Sequence, residues 1–396
     1  MFCFSLTSPY LVFWNVVLVV CSLIFRFLKL FLSLCVFQYF RMKKHFLTAC
    51  WTFLAIIPLW LLCYYILDVT TLGAISGSRD DADIINYFYS IENIDNSGKG
   101  DTTIVLVDLA GIRSRDEIGD VITRIAACQP QKIALDIIFP SSASDNQEEN
   151  ARLEQIIATA SNVVTACRII PSENSFDPIK IEHSFFTHST KIPYGATNSM
   201  MSKLIYSFTI DNDTIFSFPA VIAGKTKTDN RQRYVNYSNK QFLILSAMED
   251  FFEEDFKNKI VLLGDLSDSR DYHDIPFILN GSRRVPGTLL TAYAVSTILK
   301  DNGVVKINDT ICLIVAALLI YIFAFFYILL NKKRKMQFWQ RLYEIGVILL
   351  LTLIFYLLFT WFNRMFNLVY AIMGFAVAGF AYDFVNLLLN KKKKKR

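Results

Sequence analysis

Four stretches of the chain are apolar enough to cross a membrane as helices. They occupy residues 46–67, 311–330, 345–362 and 366–389, and a membrane-spanning helix needs about 20 mostly apolar residues. The first three stretches carry no charged side chain, and the fourth carries a single acid, Asp383. The pattern predicts one transmembrane helix near the beginning of the chain and three near its end.

Residues 68–307 show a different pattern, in which short apolar or β-branched runs alternate with amphipathic stretches. Strands are predicted at residues 102–107, 132–138, 162–170 and 259–263, and helices at 80–94, 115–128, 151–160 and 289–299. Strands that alternate with helices indicate right-handed βαβ units and a parallel sheet. The irregular stretch 192–246 suits an antiparallel extension. We therefore predict a three-layer α/β domain with a mixed sheet, inserted between the first and second transmembrane helices.

Residues 1–41 do not fit this plan. Two apolar runs, 11–25 and 27–40, are broken by Arg26 and Lys29, and neither is well suited to span a membrane as a helix. The letters MKKH at residues 42–45 and the apolar run after them are typical of the start of a signal anchor. One hypothesis is that translation starts at Met42 and that the extension comes from a misplaced upstream start. The other is a fifth apolar segment, either spanning or hairpin-like.

Charge is distributed unevenly along the chain. Residues 68–307 hold 23 Lys and Arg against 32 Asp and Glu, a balance of −9, whereas the rest of the chain holds 17 against 3, a balance of +14. The net charge of the whole chain is +5. The acidic central domain has no basic stripe, and this excludes a nucleic-acid partner.

The basic residues also predict an orientation, because Lys and Arg favour the cytoplasmic side of a membrane. One cluster precedes the first span, a second separates the second span from the third, and the basic tail 390–396 ends the chain. Four crossings put all three clusters on one side of the bilayer and residues 68–307 on the other. The lipid bilayer is thus a predicted partner.

Several polar residues lie where the predicted parallel strands end, which is where such sheets bind ligands. Asp108, Asp136 and Asp265 follow predicted strands, and Asp271 lies in the loop after the last of these strands. Arg115 is near enough to them in sequence to bind an anionic group of a ligand. The carboxylates could bind a hard divalent cation, or accept hydrogen bonds from amines or hydroxyls of a ligand. A structural role in capping helices or turns is the simpler interpretation, and we predict no metal site.

Catalytic signatures are absent from the sequence. There is no P-loop, no serine nucleophile elbow, no kinase motif and no pair of metal-binding cysteines. We therefore predict no catalytic residue, no cofactor and no enzymatic activity.

Asp383 has two interpretations of its own. An acid inside a membrane span is costly and often functional, which would suit contact with a partner helix and coupling across the membrane. It lies only eight residues before Lys391, so a position near the inner interface of the membrane is the simpler explanation.

Four segments together resemble a known family. They read VLVDLAGI at residues 105–112, KIALDIIFP at 132–140, KIVLLGDLSDSRDYHDIPF at 259–277 and VPGTLLTAYAVSTIL at 285–299. Their order and spacing are similar to those of the CHASE domain of the second type, an extracytoplasmic sensory domain of bacterial membrane receptors. The resemblance covers most of residues 68–307. It implies one membrane helix before the domain and about three after it, in a bacterial cytoplasmic (inner) membrane.

The sequence departs from the family pattern at several positions. Arg115 lies where the family arginine would fall, but Ile275 replaces a usual Thr. Leu289 and Thr291 stand where the family often has a Glu and a His. The family's polar contacts at these positions therefore do not carry over.

The resemblance implies a receptor, and in this family an output module such as a histidine kinase, nucleotide cyclase or protein kinase often follows the membrane helices. Here the last predicted helix is followed by Asn390 and six basic residues. We therefore expect a membrane-anchored sensory protein, which can form a homo-oligomer. It would detect an extracytoplasmic ligand or protein and relay the signal through its C-terminal transmembrane helices to a separate membrane or cytoplasmic partner. The alternative is a structural subunit or scaffold whose exposed domain binds another envelope protein. A hydrolase and a transporter are less well supported.

Overall fold

The computed structural model describes residues 46–59, 82–93, 99–140, 146–160, 162–170, 180–197, 202–210, 213–225, 233–238, 240–330, 337–366 and 369–394. The predicted extension 1–41, the alternative start at Met42 and the end of the first predicted span, 60–67, lie outside these residues. The chain divides into two compact units. The sheet unit comprises residues 74–308 and 353–367, and the helical unit comprises the remainder.

Helices and strands are numbered here in chain order. The helices are α1 (Phe46–Leu59), α2 (Ala82–Glu92), α3 (Arg115–Ala127), α4 (Gln147–Thr159), α5 (Thr187–Thr190), α6 (Phe218–Ile222), α7 (Glu253–Phe256), α8 (Gly287–Lys300), α9 (Asp309–Leu330), α10 (Gln337–Phe362) and α11 (Val369–Lys394). The strands are β1 (Lys99–Asp108), β2 (Lys132–Leu135), β3 (Val163–Ile170), β4 (Lys180–Glu182), β5 (Tyr194–Ala196), β6 (Ser207–Ile210), β7 (Asp213–Phe216), β8 (Arg233–Tyr234), β9 (Lys240–Ser246), β10 (Ile260–Gly264), β11 (Tyr272–Leu279), β12 (Ser282–Pro286), β13 (Val304–Lys306) and β14 (Arg364–Met365).

A largely parallel seven-stranded sheet organises the sheet unit, which confirms the prediction of a mixed α/β fold. Its strand order is β4-β3-β2-β10-β1-β9, with β5 also paired to β3. The late strand β10 lies between β1 and β2, and Asp108 pairs in register with Gly264. All pairs in this sheet are parallel except β3 with β4. The carboxyl ends of β1, β2, β3 and β10 therefore meet at one edge.

Helices pack on both faces of this sheet. Side chains alternate between the faces of a strand, and Val105, Val107, Val261 and Leu263 form a buried core with residues of α3 and α4. On the other face, a Cβ added to Gly264 would lie 2.2 Å from the hydroxyl of Thr288 in α8. Only glycine allows α8 to approach the end of β10 this closely.

Local signals explain why α3 begins where the sequence predicts. Ser114 accepts a hydrogen bond from the backbone N–H of Glu117, whose side chain accepts one in return from the N–H of Ser114. This capping box satisfies donors that the first turn of a helix leaves unpaired.

Two regions differ from the sequence prediction. The expected antiparallel extension over residues 192–246 does not form, because β5 and β9 join the main sheet in parallel. The antiparallel pairs of this stretch, β6 with β7 and β8 with β13, belong to separate small sheets. The segment after Asp271 was predicted to be a loop, but β11 and β12 form an antiparallel hairpin there. Ile275, Phe277 and Leu279 alternate on its buried face, and the hydrophobic effect of burying them outweighs the turn-forming tendency of the Asp and Pro residues.

The helical unit contains α1, α9, α11 and the first part of α10. Residues such as Ile56, Phe323 and Phe375 form its common core, and Gly374 lets α11 approach the side chain of Ile320. Two helical segments, Asp309–Leu329 and Leu342–Phe362, are long and apolar enough to cross a membrane. The shorter apolar helices Phe46–Leu59 and Val377–Leu388 lie within the first and fourth predicted spans, 46–67 and 366–389.

Candidate functional site

A cavity of about 510 Å³ lies in the sheet unit beyond the carboxyl ends of β2 and β3. Its lining includes Asp136, Asp271 and the first turn of α8 at Gly287. Small-molecule sites commonly measure about 300–1,000 Å³ and combine apolar walls with a few polar groups. This cavity therefore has the position and size expected of a ligand site in a parallel sheet.

Asp136 is fixed at the cavity by the main sheet. It follows β2 directly, and its backbone N–H donates to the carbonyl of Leu263 in β10 at 2.9 Å. Burial raises the pKa of the Asp136 carboxyl to about 6, and the nearby carboxylate of Asp271 adds to this rise. Hydroxyls of Thr291 and Thr288 in α8 act in the opposite direction.

Asp271 is fixed from the other side, at the turn before β11. Its Oδ2 accepts a hydrogen bond from the N–H of Gly287 at 3.1 Å, so the carboxylate caps the start of α8. A Cβ at position 287 would lie 2.7 Å from Oδ1 of Asp271, which only glycine avoids. Burial raises the pKa of Asp271, and the neighbouring His273 opposes this rise.

The other predicted ligand residues do not line the cavity. Asp108 accepts hydrogen bonds from the N–H groups of Ala110 and Leu266, at 3.0 and 2.9 Å, and so ties two loops together. Asp265 accepts three hydrogen bonds from Ser267 and Asp268 within its own turn. These contacts are the structural roles that the sequence analysis set against ligand binding.

Arg115 is held by a third set of contacts. Its guanidinium donates to the side chain of Asn150 in α4 and to the carbonyl of Pro140, and lies over the ring of Phe185 at 5.1 Å. The arginine therefore stabilises the packing of α3 against α4 and the loop after β2.

The cavity also contains residues that the sequence analysis did not select. Arg168 of β3, Lys203 and Tyr237 line it together with the two aspartates. No local pattern identifies them, because Lys203 and Tyr237 come from irregular segments and Arg168 follows the five buried residues that begin β3. Among the described residues, no group of three or more His, Cys, Asp or Glu side chains is arranged to hold a metal ion.

One wall of the cavity is hydrogen-bonded to a small three-stranded sheet. Leu204 donates to the carbonyl of Arg233, and Val235 donates to the carbonyl of Ser202, both at 2.9 Å. Strand β8 pairs with β13, and β13 pairs with β14. Strand β14 belongs to the turn between α10 and α11, so backbone hydrogen bonds connect the cavity wall to that turn within the sheet unit.

A cluster of aromatic rings runs beside these strands. The ring of Tyr237, at the cavity, lies 5.9 Å from that of Tyr89 in α2, which lies 5.2 Å from Phe359 near the end of α10. The hydroxyl of Tyr89 donates to the carbonyl of Val235 at 3.1 Å. The cavity wall therefore also contacts the end of α10 through packed side chains.

Asp383 lies in α11 of the helical unit, where its side chain is exposed. The described residues do not test its predicted role in coupling across a membrane.

Asp136→Asn is expected to stabilise the protein by about 2 kcal/mol at pH 7.5 and to lose this advantage near pH 4. The raised pKa means that the folded state holds the proton of Asp136 more tightly than the unfolded state. The wild type therefore gains stability from this group as the pH falls through about 6, and the neutral amide does not titrate. Thermal unfolding between pH 4 and 8 measures the difference, with Asp265→Asn as the matched control. An equal effect of both variants at every pH would contradict the prediction.

The CHASE2 domain model matches residues 96–330, which is more than half of the chain. No curated protein and no solved structure matches the chain significantly. The match includes the whole main sheet, the cavity and helix α9. The chain therefore belongs to the family of CHASE2 domains, which are extracytoplasmic sensory domains and typically non-catalytic.

Proposed function

We propose that this protein is a membrane-anchored receptor that binds its signal in the cavity of the sheet unit and relays it through its C-terminal transmembrane helices to a separate protein. Residues 68–307 form the extracytoplasmic sensory domain in this proposal. One membrane helix precedes this domain, three follow it, and the C-terminus is cytoplasmic. The family supports the sensory role, and the apolar helices support the membrane anchor.

The observation that carries the proposal is the backbone connection between the cavity wall and the α10–α11 turn. Val305 and Ile307 donate to the carbonyls of Asn363 and Met365, each at 2.9 Å. These hydrogen bonds support a topology in which the turn and the sensory domain lie on the same side of the bilayer, as the charge pattern predicts. A shift of the cavity wall would move the outer ends of two membrane helices.

A ligand shifts such a receptor only as far as it binds one conformation better than the other. Strand β8 both flanks the cavity wall and pairs with β13, so a shift of the wall on ligand binding has a backbone route to β13. In this proposal the output belongs to a separate protein, which the crosslinking experiment below is designed to capture.

Site-specific photo-crosslinking in native membranes tests the proposal. A photoreactive residue at Leu387, an exposed position near the end of α11, is expected to capture a kinase, cyclase or other signalling protein. The matched control is the same residue at Ile244, which is exposed on strand β9 of the sheet unit. Capture at Leu387 of nothing but further copies of this protein would count against a relay to a separate partner.

The scaffold remains a second candidate because the sheet unit exposes apolar residues at one edge. Leu243 and Ile244 on the edge strand β9, with Met248 and Phe252 after it, are 39–64% exposed. Exposed apolar patches commonly mark protein interfaces. An abundant envelope protein captured at Ile244, without a signalling protein at Leu387, would favour the scaffold.

A further inference from the structure

Resting on the proposed receptor function, we propose that the cavity binds a small zwitterion, a free amino acid or short peptide with an apolar side chain. Its ammonium group lies between Asp136 and Asp271, and its carboxylate faces Arg168.

The two aspartates give the cavity an acidic side that suits a positively charged group of a ligand. Both are held at the cavity by backbone contacts, Asp136 through Leu263 and Asp271 through Gly287. Among the described residues, no Lys, Arg or His nitrogen lies within 4.0 Å of the Asp136 carboxylate, whereas Asp271 has His273 at 3.9 Å. Like charges held close together are costly, and a cation between them relieves that cost.

The cation is better explained by an ammonium group than by a metal. A hard cation such as Ca²⁺ takes about six to eight oxygen ligands, and the described residues contain no cluster of three or more metal-binding side chains. An ammonium group needs only a few acceptors, which two carboxylates and the hydroxyl of Thr291, also in the lining, provide.

The opposite charge comes from β3. Leu135 pairs with Thr165, so Asp136 lies level with Ala166, and Arg168 follows two residues further along the strand. Two residues span about 6.6 Å along a strand and neighbouring strands lie about 4.8 Å apart, so the two backbone positions are about 8 Å apart. Arg168 meets Glu182 only at 3.8 Å and at the surface, a weak pair that a bidentate ligand carboxylate can replace.

The remaining walls suit an apolar side chain. Ile138, Phe218 and Leu290 line the cavity together with the charged groups. A ligand with a charged head and an apolar body would bury that body against them, which contributes about 25 cal/mol for each Å² of apolar surface.

The test is calorimetric titration and thermal shift of the full-length protein in lipid nanodiscs. The probes are the twenty standard amino acids and apolar dipeptides, which distinguish the two sources of the zwitterion. For leucine, the matched analogues are isopentylamine, which lacks the carboxylate, and 4-methylpentanoic acid, which lacks the ammonium group. At least one apolar zwitterion is expected to bind, and its two analogues are expected to bind about tenfold to hundredfold more weakly.

Variants assign the two ends of the ligand. Asp136→Asn and Asp271→Asn should weaken binding of the zwitterion about tenfold or more and leave binding of the carboxylic acid analogue unchanged. Arg168→Gln should weaken binding of the zwitterion by a similar factor and leave binding of the amine analogue unchanged. Asp265→Asn, at the same sheet edge but outside the cavity, and Arg152→Gln, in an exposed pair with Asp116, should bind as the wild type does.

Two results would overturn the inference: no binding by any probe at millimolar concentration, or equal binding by Asp136→Asn and Asp265→Asn. If the panel fails while Leu387 still captures a signalling protein, the ligand class is wrong and the receptor function stands. If leucine or another zwitterion binds as expected while no signalling protein is captured, the relay fails and the ligand class stands.

Discussion

Asp101→Asn is expected to lower the free energy of unfolding of the sheet unit by about 3 kcal/mol, since breaking a buried ion pair typically costs about 3–5 kcal/mol. The Asp101 side chain is fully buried and accepts hydrogen bonds from Lys300 and Ser296, both at 2.7 Å. Lys300 itself is 41% exposed and can regain water, so the lower end of the range applies. Asparagine keeps an oxygen that accepts from Thr103, but its NH2 group replaces the Oδ2 that accepts from Lys300 and Ser296. The variant therefore loses the charge and both of these hydrogen bonds.

The neighbouring Lys240 adds to this effect. It is buried, donates to Ser296 at 3.1 Å and lies over the ring of Tyr293. Burial, followed by the charge of Lys300, lowers the pKa of Lys240 to about 8, while Asp101 acts to raise it. Removing the Asp101 charge therefore leaves the repulsion between the ammonium groups of Lys240 and Lys300 without the nearby carboxylate that offsets it.

Chemical denaturation of the full-length protein at pH 7 measures the loss. Asp301→Asn is the matched control, because Asp301 pairs with Arg233 at 2.6 Å but is 63% exposed; it should cost only about 0–1 kcal/mol.

Burial alone would raise the pKa of Asp101, but its hydrogen bonds, led by Lys300, outweigh this and hold the pKa well below its usual range. The contribution of Asp101 is thus present above about pH 4 and disappears in more acidic solution. A wild-type denaturation midpoint for Asp101→Asn would show that the pair does not stabilise the fold.

The main sheet could be predicted because its signals are local. Strands β1, β2, β3 and β10 are short buried runs, and α3 begins at a capping box that four residues encode. The partners of β9 are not encoded locally. Its apolar residues suit either orientation, and only the position of β10 between β1 and β2 leaves β1 a free edge on which β9 pairs in parallel.

The candidate site could be predicted only in part, for a related reason. Asp136 directly follows a strand that the sequence shows clearly, and Asp271 lies in the segment after the last such strand. Both were therefore selected by the rule that ligands bind beyond the carboxyl ends of parallel strands. The same rule selected Asp108 and Asp265, whose carboxylates are used by their own loops. Lys203 and Tyr237 reach the cavity from segments without periodicity, and contacts of that kind depend on the complete tertiary fold.

Phe359→Ala is expected to loosen the attachment of the end of α10 to the sensory domain, by about 3 kcal/mol or more. The ring is 2% exposed and packs against Phe88 at 5.0 Å and Tyr89 at 5.2 Å. Truncating a buried Phe typically costs about 3–5 kcal/mol, because it removes apolar contacts and leaves a cavity. Since the same end of α10 leads into strand β14, the β13–β14 hydrogen bonds should open more often, by about a hundredfold for a loss of this size.

Hydrogen exchange of the Val305 and Ile307 amides in the full-length protein reports that opening directly, since both donate across to the α10–α11 turn. Phe362→Ala is the matched control, because that ring is 44% exposed at the same end of the same helix and its loss should change exchange little.

Phe359→Ala also separates ligand binding from signal relay in the proposed receptor. A cavity ligand should still bind to Phe359→Ala, since Phe359 is not part of the cavity lining. The ligand should, however, no longer alter the capture of a signalling protein at Leu387. If Phe359→Ala exchanged as slowly as the wild type and relayed the ligand normally, the end of α10 would not be the path by which the cavity acts on the membrane helices.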